Sequence, residues 1–239
     1  MRTEELESLM LMCLRDFYSR RLLRLKELKV QSFLARKNPY LLRAIGITKA
    51  PELIEKLLSD FVAASDETLF RDTVLEPIAR VVSGGRRSNV KGIHFVVTKD
   101  DYVTAVALRS GINTMNAGQT ARQTQQLIDA GESLSETQRQ FGVVLGHAYG
   151  KKLRPRTTDS HFRELFGQAF WSEISGESDF YCRLMTLMQD EPSRHKEEYA
   201  QVLQLTVNKL KVEFERDFSL SDGSIDWKKI VDLVSCTRQ

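Results

Sequence analysis

The sequence predicts an α/β (mixed α+β) fold in which a small mixed central sheet is flanked by many helices. Apolar residues recur at helical spacing over most of the chain, whereas residues 93–97 and 103–108 alternate at period two. Both faces of these two segments are apolar, which is typical of strands covered by helices on both sides. Residues 141–149 form a third apolar run, and the helical pattern of residues 119–130 before it predicts a parallel crossover.

The N-terminal part is predicted to be helical. Apolar residues follow a 3.6-residue spacing over residues 3–30, and a second helix is expected from Pro51, a residue suited to a first helical turn. A third helix is expected over residues 68–82, after a break at residues 65–67. Pro77 should kink or divide this third helix, because proline lacks the N–H that an interior helical position needs.

The C-terminal part is predicted to be helical as well. We expect helices at residues 160–174, 180–188 and 193–218. The whole chain is interpreted as one domain over residues 1–239. Its parts are a helical N-terminal part (1–82), a sheet core (83–156) and a helical C-terminal part (157–239).

Composition narrows the class of protein. The chain has 239 residues, of which 41% are hydrophobic, so it can bury a substantial core, and its net charge is only +3. No apolar run approaches the roughly 18 residues of a membrane span, and the acidic Glu4 and Glu5 do not fit a signal peptide. The three cysteines are widely spaced and fit a reducing compartment. We therefore expect a soluble cytoplasmic protein with no membrane partner.

Positive charge is grouped along the chain. The first group holds eight basic residues and one acid, Glu27: Arg20, Arg21, Arg24, Lys26, Lys29, Arg36, Lys37 and Arg43. The second holds seven basic residues, with Asp100 and Asp101: Arg80, Arg86, Arg87, Lys91, Lys99, Arg109 and Arg122. The third is Lys151, Lys152, Arg154 and Arg156. Such grouping indicates a polyanion partner; the alternative is a set of solvated surfaces.

The most informative stretch is a glycine loop followed by a strand hairpin. Gly84-Gly85 precede the first strand, residues 98–101 form the turn, and the second strand ends at Arg109. Several segments along the chain carry a resemblance to a known family. They are residues 37–44 (KNPYLLRA), 67–70 (ETLF), 75–80 (LEPIAR), 83–85 (SGG), 109–111 (RSG), Gln119 with Gln123, and 166–171 (FGQAFW).

On these segments the chain resembles the PmeII-type family of type II restriction endonucleases. The resemblance implies the PD-(D/E)xK nuclease fold and cleavage of double-stranded DNA with a divalent metal, Mg²⁺. Because restriction sites are palindromic, it also implies a possible homodimer. An aspartate of the family would occupy the place of His94, and a lysine the place of Arg109. Glu76 matches a position where many such enzymes carry a metal-binding glutamate.

The catalytic residues implied are thus Glu76, His94 and Arg109, with Glu76 as the metal ligand. Mg²⁺ requires oxygen ligands, whereas imidazole suits transition metals, and a guanidinium is not a tunable proton donor. No acid occurs in residues 77–99 or 102–128, so Glu76 is expected to be the only carboxylate that reaches the centre. The sequence therefore predicts a retained fold with an altered centre. His94 has two other interpretations, a packed core histidine or a transition-metal ligand together with His147.

Polar and basic side chains near the sheet are candidates for DNA contact. They are Arg86, Arg87, Asn113, Asn116, Gln119, Arg122, Gln123, Lys151 and Lys152. The alternatives are an exposed solubilising loop for the arginine pair and a helix cap with a polar face for the amide run.

The preferred functional hypothesis is a restriction-endonuclease-like protein that binds double-stranded DNA around an altered hydrolytic centre. The alternative is a catalytically inactive module on the same scaffold that binds DNA or another protein. A third possibility is a helical interaction protein with no role at DNA.

Overall fold

The computed structural model describes residues 2–112, 116–137, 140–152 and 161–236, and the chain divides into two compact units. Unit 1 consists of Met1–Phe17 and Thr68–Glu191, and unit 2 consists of Tyr18–Glu67 and Pro192–Gln239. The predicted mixed α+β class is confirmed, because a five-stranded mixed sheet is accompanied by many helices. The assignment of the chain to a single domain stays a prediction.

The described elements follow one another in this order. The helices are α1 (Thr3–Glu27), α2 (Val30–Leu34), α3 (Pro39–Ala44), α4 (Ala50–Phe70), α5 (Glu76–Val82), α6 (Ala117–Thr137), α7 (Gln168–Ser175), α8 (Phe180–Leu187), α9 (Glu191–Phe218) and α10 (Trp227–Ser235). The strands are β1 (Arg86–Arg87), β2 (Phe95–Lys99), β3 (Tyr102–Arg109), β4 (Phe141–His147) and β5 (Arg163–Phe166). A π-helix, Arg71–Leu75, joins α4 to α5.

The sheet of unit 1 has the strand order β1-β2-β3-β4-β5. The first three strands are antiparallel, and β3, β4 and β5 are parallel, so both the predicted hairpin and the predicted crossover through α6 are confirmed. Asp100 and Asp101 form the hairpin turn with φ of 45° and 65°. Two successive positive φ angles match the twist of the flanking strands, and aspartate tolerates them better than most residues do.

Helices cover the two faces of this sheet. On one face Ala105 and Ala107 of β3 pack against Leu127 of α6. On the other face Gly146 of β4 lies against the ring of Phe170 in α7, and α5 packs against α7 and β2. The sheet is thus a middle layer, with α6 on one side and α5 with α7 on the other, and its strands are buried on both faces as predicted.

Pro77 divides the predicted third helix, as the sequence indicated. The π-helix ends at Leu75, two residues before Pro77, and the N–H of Glu76 bonds to the carbonyl of Arg71, five residues back. Pro77 therefore lies in the first turn of α5, where a missing N–H costs little. The widened π turn carries the hydrogen-bonded path from α4 into α5.

The predicted break at residues 65–67 is wrong, because α4 continues through it to Phe70. Ser65 and Asp66 often end helices by bonding to their own backbone. Here they bond to arginines of α1 instead: Asp66 pairs with Arg21 at 2.6 Å, and Ser65 Oγ accepts from Arg24 at 2.8 Å. Sequence spacing alone does not show these long-range partners.

The predicted helix over residues 160–174 is wrong in its first half. Residues 163–166 form strand β5, which pairs in parallel with β4, and the helix begins only at Gln168. Gly167, with a φ of 48°, separates the two elements. Residues 153–160 lie outside the described part of the chain.

Unit 2 has its own apolar core. Residues of α1 from Leu22 onward pack together with α2, α3, α4, α9 and α10, and Phe214 and Leu210 of α9 are fully buried in this core. Helix α10 was not predicted, and it begins at Asp226, whose side chain accepts from the N–H of Lys229 at 3.1 Å. Among the described residues, no helix is both long enough and apolar enough to span a bilayer.

The close approach of Phe170 to Gly146 gives a first testable prediction. A Cβ at position 146 would collide with a ring that is itself fully buried beside Trp171. We expect Gly146→Ala to lower the free energy of unfolding by about 1–3 kcal/mol, as overpacking of a buried core does. Chemical denaturation measures this, and Gly118→Ala is the matched control, since a Cβ there meets only an ordinary contact at 3.6 Å. Equal stability of the two variants would contradict the described packing.

Candidate functional site

The predicted glycine loop brings two exposed arginines to the edge of the sheet. Gly84 has a φ of 67°, and a Cβ at Gly85 would lie 2.9 Å from the ring of Phe95, so this sharp turn needs both glycines. Arg86 and Arg87 follow as β1, whose backbone pairs with β2 while both residues remain exposed. The pair therefore lies on an edge strand and not in a loop.

His94 lies just before β2 and is fixed by three hydrogen bonds. Its backbone N–H donates to Val106 at 2.8 Å, its carbonyl accepts from Ser88 at 3.1 Å, and its Nδ1 accepts from the N–H of Leu108 at 3.1 Å. The pKa of His94 is lowered to about 4, first by burial and then by Arg71, against an opposing effect of Asp72. The ring is therefore neutral near pH 7. Since Nδ1 is an acceptor, the single ring proton is on Nε2.

The π-helix and the first turn of α5 each carry a carboxylate, Asp72 and Glu76. Glu76 is half-buried in the first turn of α5, and its pKa is raised by burial and then by Asp72, against opposing effects of Arg80, Arg87 and Arg71. Asp72, one helical turn earlier, pairs with Arg71 at 2.7 Å. The charge of Asp72 acts on both Glu76 and His94. The expectation that only Glu76 reaches the centre stays a prediction.

Arg109, at the end of β3, is buried with only 5% of its surface exposed. Its side chain lies on the α6 face of the sheet, where Nε donates to the side-chain oxygen of Gln123, and Nη2 has no hydrogen-bond partner among the described residues. Burial lowers its pKa, and Glu164 of β5 opposes that shift. Gln123, predicted to contact DNA, is buried and serves to hold Arg109.

His147 lies beside Arg109 at the end of the neighbouring strand. The two residues are register partners in the β3–β4 pair, so their side chains share the α6 face. His147 is 3% exposed, its Nδ1 lies 3.2 Å from the carbonyl oxygen of Gly111, and its ring stacks on Phe166 at 4.5 Å. Its Nε2 is buried without a partner among the described residues. Two unpartnered polar atoms therefore lie at adjacent strand ends.

The lysines that follow β4 lie at the same end of the sheet. Lys151 and Lys152 are exposed, and Lys152 pairs with Glu164 at 3.2 Å while its ammonium lies 5.2 Å from the ring centre of Phe166. Arg154 and Arg156 lie outside the described residues.

The amide run before α6 forms a helix cap. The Asn116 side chain accepts from the N–H of Gln119 at 2.9 Å, and the Gln119 side chain accepts from the N–H of Asn116 at 3.0 Å. This reciprocal pair is a capping box, the structural alternative for these two amides. Arg122, on the next turn, is exposed. Asn113 lies outside the described residues.

The structure thus places several of the predicted residues in two groups, together with residues that were not predicted. The helix-side group consists of Arg71, Asp72, Glu76, Arg87 and His94. Arg71 and Asp72 act electrostatically on both Glu76 and His94, and Arg87 acts on Glu76. The strand-end group consists of Arg109, Gln123, His147, Lys152 and Glu164. Glu76 is carried by the helix layer opposite α6, whereas Arg109 bonds to α6, so the structure does not bring these two side chains together.

Four members of these groups were not predicted as site residues by the sequence: Arg71, Asp72, His147 and Glu164. Asp72 is spaced one helical turn from Glu76, a signal that the predicted position of the third helix already contained. His147 ends a predicted parallel strand, and side chains at the carboxyl ends of such strands meet at one edge. The sequence did not indicate Glu164 as a site residue, because the segment that forms its strand was predicted to be helical.

Comparison with known proteins identifies a family for most of the chain. Residues 4–197 match the family model of the type II restriction endonuclease EcoO109I. No curated protein matches the chain. The match covers the sheet, both groups and most of the helices, and it confirms the broader prediction of a restriction endonuclease family, under a different name from the PmeII-type family that the segments resemble. The chain belongs to the EcoO109I family of type II restriction endonucleases.

Proposed function

We propose that the protein binds double-stranded DNA on the nuclease scaffold and that its altered centre does not hydrolyse phosphodiesters with Mg²⁺. Membership of a restriction endonuclease family supports the DNA partner. The proposed lack of hydrolysis rests on the residues that occupy the positions where the family is expected to carry an aspartate and a lysine. His94 there offers an N–H, and Arg109 is a buried guanidinium held by Gln123.

Type II restriction endonucleases generally use Mg²⁺, and the residues present do not fit that ion. Mg²⁺ needs several oxygen ligands in tight octahedral geometry. His94 offers no oxygen, and its Nδ1 lone pair already accepts from Leu108. Of the two carboxylates nearby, Asp72 is paired with Arg71, and burial favours the protonated form of Glu76. Within the described ranges, no group of three His, Cys, Asp or Glu side chains is arranged to hold a metal ion.

The DNA contacts of the proposal come from exposed cations of unit 1. Arg86 and Arg87 project from the edge strand β1, Arg122 lies on the second turn of α6, and Lys151 and Lys152 follow β4. Cations of this kind bind backbone phosphates and position the protein without reading the base sequence. Asn113 lies outside the described residues and stays a predicted DNA contact. Asn116 and Gln119 contact DNA only if the hydrogen bonds of their capping box are broken.

Three finer features extend this proposal. A homodimer follows from the symmetry of palindromic sites, the PmeII-type assignment follows from the resembling segments, and a cytoplasmic location follows from the sequence analysis. All three stay predictions.

A salt titration tests the DNA partner. Fluorescence anisotropy with a labelled duplex of mixed sequence should show binding at low salt, with an affinity that falls linearly with salt on logarithmic axes. Release of counterions from each neutralised phosphate causes this dependence. A protein-interaction module on the same scaffold gives no anisotropy change even at the lowest salt, and that outcome would remove the DNA partner from the account.

A further inference from the structure

Arg109 and His147 are buried polar residues, and each has one side-chain nitrogen without a hydrogen-bond partner among the described residues. These atoms are Nη2 of Arg109 and Nε2 of His147, both buried, although 5% and 3% of the two residues are exposed. The pair lies at adjacent carboxyl ends of the parallel strands β3 and β4. Ligands of open sheets with parallel strands bind outside these ends. Leaving a buried polar side chain without a partner costs free energy, so two such side chains at neighbouring strand ends indicate an absent binding group.

The charge of the pair indicates which group is absent. Arg109 is a buried cation, and Glu164, the described carboxylate that acts on it, has its own ion pair with Lys152 at 3.2 Å. A buried charge is costly unless an opposite charge compensates it. With Lys152 also near, the pair attracts an anion and repels a metal cation.

The hydrogen-bonding capacity of His147 narrows the class of anion. Its Nδ1 donates to the carbonyl of Gly111, which leaves Nε2 as the unprotonated nitrogen of a neutral ring. Burial lowers the pKa of His147, as do Arg109 and Lys152, while the Gly111 hydrogen bond and Glu164 oppose this. The site thus offers a hydrogen-bond donor, the guanidinium of Arg109, and a nitrogen that accepts a proton, Nε2 of His147. Phosphate oxygens accept from the first and share a proton with the second.

We propose that Arg109 and His147 form a binding site for a phosphate group, in which Arg109 Nη2 donates to one oxygen and His147 Nε2 shares a proton with another. No covalent bond forms or breaks. A free phosphate monoester brings the shared proton on its own oxygen. A DNA phosphodiester carries no proton, so His147 binds one from solvent and shares it with a phosphate oxygen. The DNA source of the phosphate rests on the proposed function, and the free-phosphate source does not.

Nuclear magnetic resonance tests the site in the unaltered protein. With ¹⁵N-labelled histidine, His94, His147, His161 and His195 give separate ring signals, and inorganic phosphate is the probe. We expect phosphate to shift the Nε2 signal of His147 toward the protonated value, with a larger shift at pH 6 than at pH 8. An unchanged His147 signal at saturating phosphate would overturn the proposal.

Substitution tests the role of the guanidinium. Arg109→Met removes the guanidinium and keeps an unbranched apolar stem, and Arg216→Met is the matched control, because Arg216 is an exposed arginine paired with Asp217. We expect phosphate to bind at least tenfold more weakly to Arg109→Met than to Arg216→Met in calorimetric titrations. Equal phosphate affinity in the two folded variants would contradict the site.

Two further titrations separate the sources of phosphate. If the site takes DNA, a short duplex shifts the His147 signal and inorganic phosphate competes with the duplex. If it takes a free phosphate, a mononucleotide shifts the signal and the duplex does not, and the site then stands although the DNA proposal fails. DNA binding that leaves His147 unchanged, with no response to phosphate or nucleotide, removes the site and leaves the DNA proposal in place.

Discussion

Lowering the pH from 6.5 to 4 is expected to reduce the free energy of unfolding by about 3 kcal/mol through His94 alone. The pKa of His94 is about 4 in the folded protein, against 6.5 for an ordinary histidine. Between these values the unfolded state binds the proton and the folded state does not, so stability is lost as pH falls through this window. Below pH 4 both states are protonated, and the loss is complete.

Urea denaturation at a series of pH values measures this effect, and His94→Asn is the control. The asparagine side-chain oxygen lies near the position of Nδ1, so it still accepts from Leu108, but it does not titrate. His147 and His195 also have lowered pKa values through burial, and their contributions cancel in the difference between the two proteins. A difference that does not change between pH 6.5 and pH 4 would show that His94 is not buried as described.

Replacing Arg86 and Arg87 together by glutamine is expected to weaken DNA binding by a factor of at least roughly 100, because charge-assisted hydrogen bonds are worth about 1.5–3 kcal/mol each. Both arginines are exposed on the edge strand β1, and Gly84 and Gly85 fix their position. The slope of the salt dependence should decrease by about 2, since each lost phosphate contact removes about one unit. Anisotropy titrations at several salt concentrations measure both quantities.

The control is a double variant with the same change in net charge, Arg216→Gln with Lys228→Gln. Both residues are exposed and paired with acids, Arg216 with Asp217 and Lys228 with Asp232. If this control weakens binding and flattens the salt dependence as much as the Arg86/Arg87 variant does, only net charge matters and the edge strand is not a contact surface.

The sequence predicted correctly those elements that depend on residues close together in the chain. The hairpin was predictable because period-two alternation over residues 93–97 and 103–108 flanks two aspartates at the turn. The division at Pro77 was predictable from the covalent structure of proline. By contrast, the continuation of α4 through Ser65 and Asp66 depends on Arg21 and Arg24, which lie more than 40 residues away.

The candidate site could be predicted only in part, for a similar reason. The sequence identified His94 and Arg109, yet their protonation and partners depend on Leu108 and Gln123, which the fold brings to them. His147 could be assigned to a strand end, but its pairing with Arg109 depends on the register of β4. Glu164 could not be found, since strand β5 has no alternating pattern and its pairing with β4 is the only reason for its extended form.

The most direct test of the central claim is a comparison of DNA binding and DNA cleavage by the same protein sample. Purified protein is incubated with DNA of mixed sequence and Mg²⁺ or Mn²⁺, with and without a chelator, and both retention of the DNA and fragment size are read on gels. We predict retention of the DNA at low salt and no discrete fragments with either metal. Discrete fragments that disappear with the chelator would contradict the account, because they would show that the centre around His94 and Arg109 still hydrolyses DNA.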